Sequence, residues 1–167
     1  MLTPVERIVS FPPIIAPDAR VLILGSMPGV ESLRRAEYYA HPRNAFWPIM
    51  AELLRTESPA DYAGRCRLIR ENRLALWDVC GSCEREGSLD QRIREPVPND
   101  FEALFVEHKG IRQIFFNGAK AEELFRRLVA APKGVGLTRL PSTSPAHTMR
   151  YEEKIAAWRA VARALES

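Results

Sequence analysis

The sequence predicts an α/β fold, a parallel sheet covered by helices on both faces, and three observations carry that prediction. Four short aliphatic or aromatic runs are each bounded by Gly, Pro, Asp or Asn, the pattern of buried strands. Segments with apolar residues at helical spacing lie between and after them. No internal repeat or linker interrupts the alternation, so a single domain with right-handed crossovers is expected over residues 1–167.

Arg20 to Gly25 (RVLILG) reads as the first strand. Asn44 is placed to cap the helical segment AFWPIMAELLRT, in which Phe46 and Trp47 stand at helical spacing from Met50, Leu53 and Leu54 and are assigned to the core. Ser58-Pro59 followed by Asp61 reads as the start of another helix, with Pro at its first position and the pattern continuing through Leu68-Ile69. Arg73 to Val79 (RLALWDV) and Ile111 to Asn117 (IRQIFFN) are the second and third strands. Gly118 opens AKAEELFRRLVA, where Ala121, Leu124, Phe125, Leu128 and Val129 form one face and Pro132 ends the helix. Gly136 to Leu140 (GLTRL) is the fourth strand. Thr148 is placed to cap a last helix that lines Ile155, Trp158, Val161, Ala162 and Leu165 on one side.

The composition excludes several classes. With 167 residues, 46% hydrophobic and 27% charged, the chain is neither disordered nor a disulfide scaffold. A chain of this length buries roughly 68–70% of its unfolded surface, so it needs no staples. Its formal charge is only +3, and the 24 basic residues comprise 20 Arg and 4 Lys, an excess that Arg-rich codon usage would also produce. No apolar run approaches the ~20 residues of a membrane span. The first twenty residues hold Glu6 and four prolines and no continuous apolar run, so a cytoplasmic, non-membrane protein is expected; separately, the chain is expected to be a monomer. Cys66, Cys80 and Cys83 are an odd number for a disulfide framework. Cys80-Gly-Ser-Cys83 has the spacing of half a zinc site, but a second CxxC or a close His pair is missing. Neither a metal nor any other cofactor is expected.

In an open parallel sheet, ligands bind outside the carboxyl ends of the strands. The loops there are Gly25-Ser-Met-Pro-Gly29, the segment YYAHPRNAFW from Tyr38 to Trp47, Asp78, Asn117-Gly118, and Pro141-Ser-Thr-Ser-Pro-Ala-His147. GSMPG is neither GxGxxG nor a P-loop, and Ser142 and Ser144 lack the GxSxG setting of a hydrolase nucleophile. His41 and His147 are read as hydrogen-bonding loop residues.

Taken together, GSMPG, YYAHPRNAFW and LPSTSPAH resemble the motifs of the uracil-DNA glycosylase superfamily, especially its mismatch-specific members. The resemblance spans roughly residues 20–148. It implies a three-layer α/β/α fold around a four-stranded parallel sheet, and metal-free cleavage of the N-glycosidic bond of an extruded base. Two positions depart from the family pattern. Met27 stands where the superfamily places a water-positioning Asp or Asn, and Leu140 stands where a His or Asn often precedes Pro-Ser. The pairing of GSMPG with PRN and LPSTSPAH looks instead like the hypoxanthine-DNA (deoxyinosine) glycosylase branch, in which an asparagine elsewhere in the site is catalytic.

Asn44 is the candidate for that role, holding water through its carbonyl oxygen, with Asn117 as a donor to the base. Gly25, Ser26, Met27 and Pro28 form the turn against the base, Tyr39 matches the stacking aromatic, and Asp78 falls near the base-edge position. An ionised Asp78 suits both hypoxanthine N1–H and uracil N3–H. Ser142, Thr143, Ser144 and His147 belong to the loop expected to approach DNA, and Arg43, Arg139 and Arg150 flank it as phosphate ligands. The implied partner is DNA containing deaminated bases, and the implied enzyme is a monofunctional glycosylase, because no lysine sits in the carried-over motifs. The iron-sulfur branch is excluded by the cysteine count, since a cluster needs four ligands and the chain has three. Met27 and Leu140 also motivate an alternative, a catalytically degenerate module that binds damaged DNA or nucleotides.

Overall fold

The computed structural model describes residues 6–167. Four strands, β2 (Val21–Gly25), β3 (Leu74–Asp78), β6 (Gln113–Asn117) and β7 (Gly136–Leu140), form a parallel sheet in the order β3-β2-β6-β7. These are the four runs the sequence marks as strands. In β2 and β3 every residue is buried, which is why both read as continuous apolar runs rather than as alternations.

Side chains alternate across the sheet and supply two cores. Leu22, Leu24, Ala75, Trp77, Ile114 and Phe116 face one way, onto α4 (Phe101–Glu107) and α5 (Ala119–Leu128). Val21, Ile23, Leu74, Leu76 and Phe115 face the other, onto α2 (Phe46–Leu53), α3 (Tyr62–Glu71) and α6 (Tyr151–Glu166). The outcome is the expected three-layer α/β/α arrangement. Phe46 and Trp47 are core residues as assigned, and Ile155, Trp158 and Val161 bury the inner face of α6.

A second sheet is absent from the sequence reading. It is antiparallel, in the order β1 (Arg7–Val9), β4 (Cys80–Glu84) and β5 (Arg94–Pro98), and β4 leaves β3 after a single residue. Cys80 and Cys83 are buried beneath it, and burial pushes the Cys80 thiol up to about 12, so both behave as small apolar core groups. A short helix, α1 (Val30–Arg35), follows the GSMPG turn.

Several helix boundaries differ from expectation. α2 ends at Leu53, short of Thr56, and its capping position is Ala45 rather than Asn44. α3 starts at Tyr62 because the Asp61 carboxylate accepts the Gly64 amide at 2.8 Å, which leaves Ser58-Pro59 outside the helix. α5 stops at Leu128, four residues before Pro132, because Val129 is already extended. Thr148 is not the cap of α6. That helix starts at Tyr151, with Arg150 at the capping position and no side-chain cap, while the residues before it fold as turns. No described helix is long and apolar enough to cross a membrane.

Candidate active site

The carboxyl ends of all four parallel strands open into one cleft of about 930 Å³. Its walls are the GSMPG turn, the Tyr38–Asn44 segment, the loop after β7 and the turn between β4 and β5.

The floor is set by strand register. Gly25 and Asp78 are paired at the ends of β2 and β3, and a side chain at Gly25 would place Cβ 2.5 Å from Asp78 Oδ1 and 3.2 Å from the Tyr39 hydroxyl. Glycine here makes room for two functional groups. Asp78 is 4% exposed, and its Oδ2 has no hydrogen-bond partner among the described residues. Burial pushes its carboxyl up to about 7, the Asp90 charge adds to the rise, and the Arg85 guanidinium opposes it. Near neutrality this one group therefore offers either an acceptor or an O–H donor.

Tyr39 adopts a left-handed backbone, φ 55°, an uncommon conformation for a large side chain. That twist lays its ring on Phe46, with centroids 4.1 Å apart and planes at 24°. Phe46 in turn meets Trp47 and Trp158 edge-on at 4.9 Å and 5.9 Å. The aromatic platform is thus backed by the core. Burial and the neighbouring Asp78 charge keep the Tyr39 phenol neutral.

Asn44 combines two roles that the sequence leaves open. Its Oδ1 accepts the Phe46 amide at 3.0 Å at the entrance to α2, while the residue lines the cleft. One lone pair on Oδ1 and the side-chain N–H groups have no partner among the described residues. Asn117 is more committed. Its Oδ1 accepts the Thr143 amide at 2.9 Å and its Nδ2 donates to Thr143 Oγ1 at 2.9 Å, both bonds buried. The second Nδ2 hydrogen remains as a donor, and the amide neighbours the Tyr39 hydroxyl.

The loop after β7 is held from behind. Trp158 donates to Pro141 O at 2.8 Å, Lys154 Nζ donates to Ser144 O at 3.1 Å, and Ala45 donates to Thr143 O at 3.0 Å. Two residues of α6, one at the entrance to α2 and the strand end of β6 therefore converge on this loop.

Gly25, Ser26, Met27, Pro28, Tyr39, Asn44, Asp78, Asn117, Ser142, Thr143, Ser144 and His147 all line the cleft, as does Arg139, whose guanidinium lies 3.7 Å from Glu122. Arg43 and Arg150 are exposed outside it, Arg150 within 3.9 Å of Glu152 and Glu153. Met27 and Leu140 are both core members, 6% and 3% exposed.

Sequence reasoning missed the β4–β5 turn. Ser26 Oγ donates to Asp90 at 2.6 Å, the Val30 amide donates to Ser88 Oγ at 2.8 Å, and Arg85 Nη2 donates to Pro28 O at 2.7 Å. These bonds clamp the turn onto GSMPG and bring Ser88, Leu89, Asp90 and Gln91 to the cleft. The Glu86-Gly87-Ser88 stretch was the available signal. It marks a turn, and its position one short strand beyond Asp78 places it on the same side of the sheet. Lys120 also lines the cleft, ion-paired with Glu123 at 3.0 Å.

Residues 12–166 match the model of the uracil DNA glycosylase superfamily. The chain is 36% identical over 157 residues to a Methanosarcina acetivorans protein named hypoxanthine DNA glycosylase, covering 92% of this chain and 96% of that one. It is 35% identical over 114 residues to a protein of the same name from Methanosarcina barkeri, covering 68% of this chain and 72% of that one. Among solved structures, it superposes with a TM-score of 0.82 on the solution NMR structure of a Methanosarcina acetivorans protein provisionally designated a uracil DNA glycosylase, at 34% identity over 97% of this chain and 100% of that one.

Proposed function

The chain belongs to the uracil DNA glycosylase superfamily, hydrolases of N-glycosyl bonds in DNA, and from that premise we propose that it excises a flipped-out deaminated base in base excision repair. Hypoxanthine is the first substrate and uracil or a mismatched pyrimidine the second. The observation that carries this reading is a cleft whose floor joins an aromatic face, Tyr39, to a buried carboxyl with an unpartnered oxygen, Asp78. Such a floor fits a planar heterocycle whose edge alternates donors and acceptors. The names of the two Methanosarcina relatives favour hypoxanthine.

Breaking the glycosidic bond builds positive charge on the sugar and negative charge on the departing base. Tyr39 stacks on the base, and the ionised Asp78 accepts the lactam N–H on its edge. The spare lone pair of Asn44 holds the attacking water. The remaining Asn117 N–H donates to the base as charge develops on it. Neither Met27 nor Leu140 contributes a polar group, so the neutral amides replace the side chains that the resemblance leads one to expect at those positions. No lysine sits in the motif segments carried over from the resemblance, which favours a monofunctional enzyme.

The test is base release from inosine-, uracil- and mismatch-containing oligonucleotides without added metal. Asn44→Ala should reduce hypoxanthine release by at least ~10²-fold, the scale of losing one positioned acid-base group, while losing only about 0.5–2 kcal/mol of stability as a cap. Undiminished release by the variant would reject the role of Asn44. Damage-specific binding with no release by the wild type would favour the degenerate binding module.

A further inference from the structure

Resting on the glycosylase reading, we propose that Arg85 and Asp90 are positioning residues that act through Asp78, making the floor of the cleft favour the edge of a deaminated base over that of its amino-bearing parent. Hypoxanthine and adenine differ where Asp78 would meet them. Hypoxanthine carries an N1–H, which an ionised carboxyl accepts in a charge-assisted bond. Adenine carries an acceptor at N1, which suits the O–H of a protonated carboxyl. The form that Asp78 takes therefore weights the choice between damaged base and parent.

Separate segments bring opposite charges to this point. Gly25 is paired with Asp78 at the strand ends, close enough that a Cβ there would lie 2.5 Å from Asp78 Oδ1. The next residue, Ser26, donates from Oγ to Asp90 Oδ1 at 2.6 Å. The two carboxyls thus flank neighbouring residues of the GSMPG turn. Arg85, only 6% exposed, is bound to the same turn. Its Nη2 donates to Pro28 O and its Nε to Gly87 O, each at 2.7 Å, while Nη1 has no partner among the described residues. Both acceptors are neutral carbonyls. A buried guanidinium without a hydrogen-bonded carboxylate is costly, and here its charge is left to act on Asp78 and Asp90, which in turn stabilise it.

The other titratable groups around Asp78 do not compete. Burial keeps the Tyr38 and Tyr39 phenols and the Cys80 thiol neutral. Lys120, on α5, is paired with Glu123. Asp90 and Arg85 are the charges that oppose one another at Asp78, Asp90 favouring its protonated form and Arg85 its ionised form. Both belong to the turn between β4 and β5, so this control over base choice comes from outside the motif loops.

The test follows kcat/KM for hypoxanthine release from roughly pH 5.5 to 8.5. Asp90→Asn keeps an oxygen for the Ser26 hydroxyl and loses the charge. The inflection near pH 7 should therefore move down by roughly one unit, raising release at pH 6 about fivefold and leaving pH 8.5 unchanged. Arg85→Gln should move the inflection up by roughly one unit and lower release at pH 7 about fivefold. Arg85→Lys, which restores the charge, should return it to the wild-type position. Glu86→Gln, which removes an exposed carboxylate from the same turn, should leave it in place. Free adenine and free hypoxanthine, added as competitors, report the preference. Their inhibition should favour hypoxanthine more strongly as pH rises, and Asp90→Asn should displace that change downward with the inflection. A merely structural role would scale release equally at every pH. Equal losses across the range, an inflection unmoved by Asp90→Asn, a shift in Glu86→Gln, or a competitor preference independent of pH would each overturn the proposal. NMR of the Asp78 carboxyl carbon in the DNA-free protein separates the two readings. A titration that moves with Asp90→Asn while the wild type releases no base would overturn the glycosylase reading and leave the control of Asp78 standing.

Discussion

Replacing Asp78 by Asn removes a charge and changes almost nothing in shape, so it isolates what burial does to that carboxyl. The ordinary carboxyl value is 3.8 and the buried group lies at about 7. Below pH ~4 the group is protonated in both the folded and the unfolded chain and has no pH-dependent effect. Between pH ~4 and ~7 the unfolded chain releases the proton while the folded chain retains it, so stability falls as pH rises. Above ~7 both forms are ionised and the difference is constant. The interval spans about three pH units, worth roughly 4 kcal/mol at ~1.4 kcal/mol each. The Asp78→Asn protein would carry no such dependence. Urea or guanidinium unfolding of both proteins from pH 4 to 8 should give stability curves that diverge steadily, with the variant gaining roughly 2–4 kcal/mol relative to wild type by pH 8. The denaturant slope should stay the same in both. Curves that remain parallel across this range would refute the claim that Asp78 is a desolvated, unpartnered acid. The corresponding activity signature is an inflection near pH 7 in the wild-type kcat/KM profile that is missing from the variant.

Two further substitutions probe the same floor and the loop that closes it. Gly25→Ala forces Asp78 Oδ1 and the Tyr39 hydroxyl away from contacts of 2.5 Å and 3.2 Å, which should cost about 1–3 kcal/mol and on the order of 10²-fold in base release through misplacement of about 1 Å. Wild-type kinetics in this variant would show that the floor is looser than the packing implies. Thr143→Val keeps shape but strands the buried Asn117 Nδ2, and chemical denaturation should register a loss of about 1–3 kcal/mol. Unchanged stability would mean that the clasp between β6 and the following loop is dispensable.

What could be read from the sequence follows from burial. The four parallel strands are covered on both faces, so they appear as unbroken apolar runs, and the longer helices bury one face and show their period. The motif loops all lie at strand carboxyl ends, which is why most of the residues singled out meet in one cleft. β4 and β5 left no such trace. CGSCE and REPVP carry no alternation, Pro96 and Pro98 argue against strand structure, and their pairing shifts register twice. The residues on the turn between them reach the cleft only through that pairing. α1 and α4 are six and seven residues long, too short for a period to emerge. Asp78 was legible as a site residue but not as one titrating near neutrality, because its environment is assembled from Gly25, Asp90 and Arg85 across separate segments. Arg43 and Arg150 are near the motifs in sequence and face outward in space, since adjacency along a loop does not fix direction.

The column from Tyr39 through Phe46 to Trp158 joins the proposed base-stacking surface to the middle of a hydrophobic core with no compliant layer between them. The site and this half of the core are therefore inherited as one unit. A substitution under α6 that is harmless to folding should still tilt the surface proposed to stack on a base, whereas the core on the other face of the sheet can drift more freely. Sequence change in this protein should consequently be asymmetric, with fold-neutral variation tolerated beneath α4 and α5 and read out as altered substrate choice beneath α2 and α6.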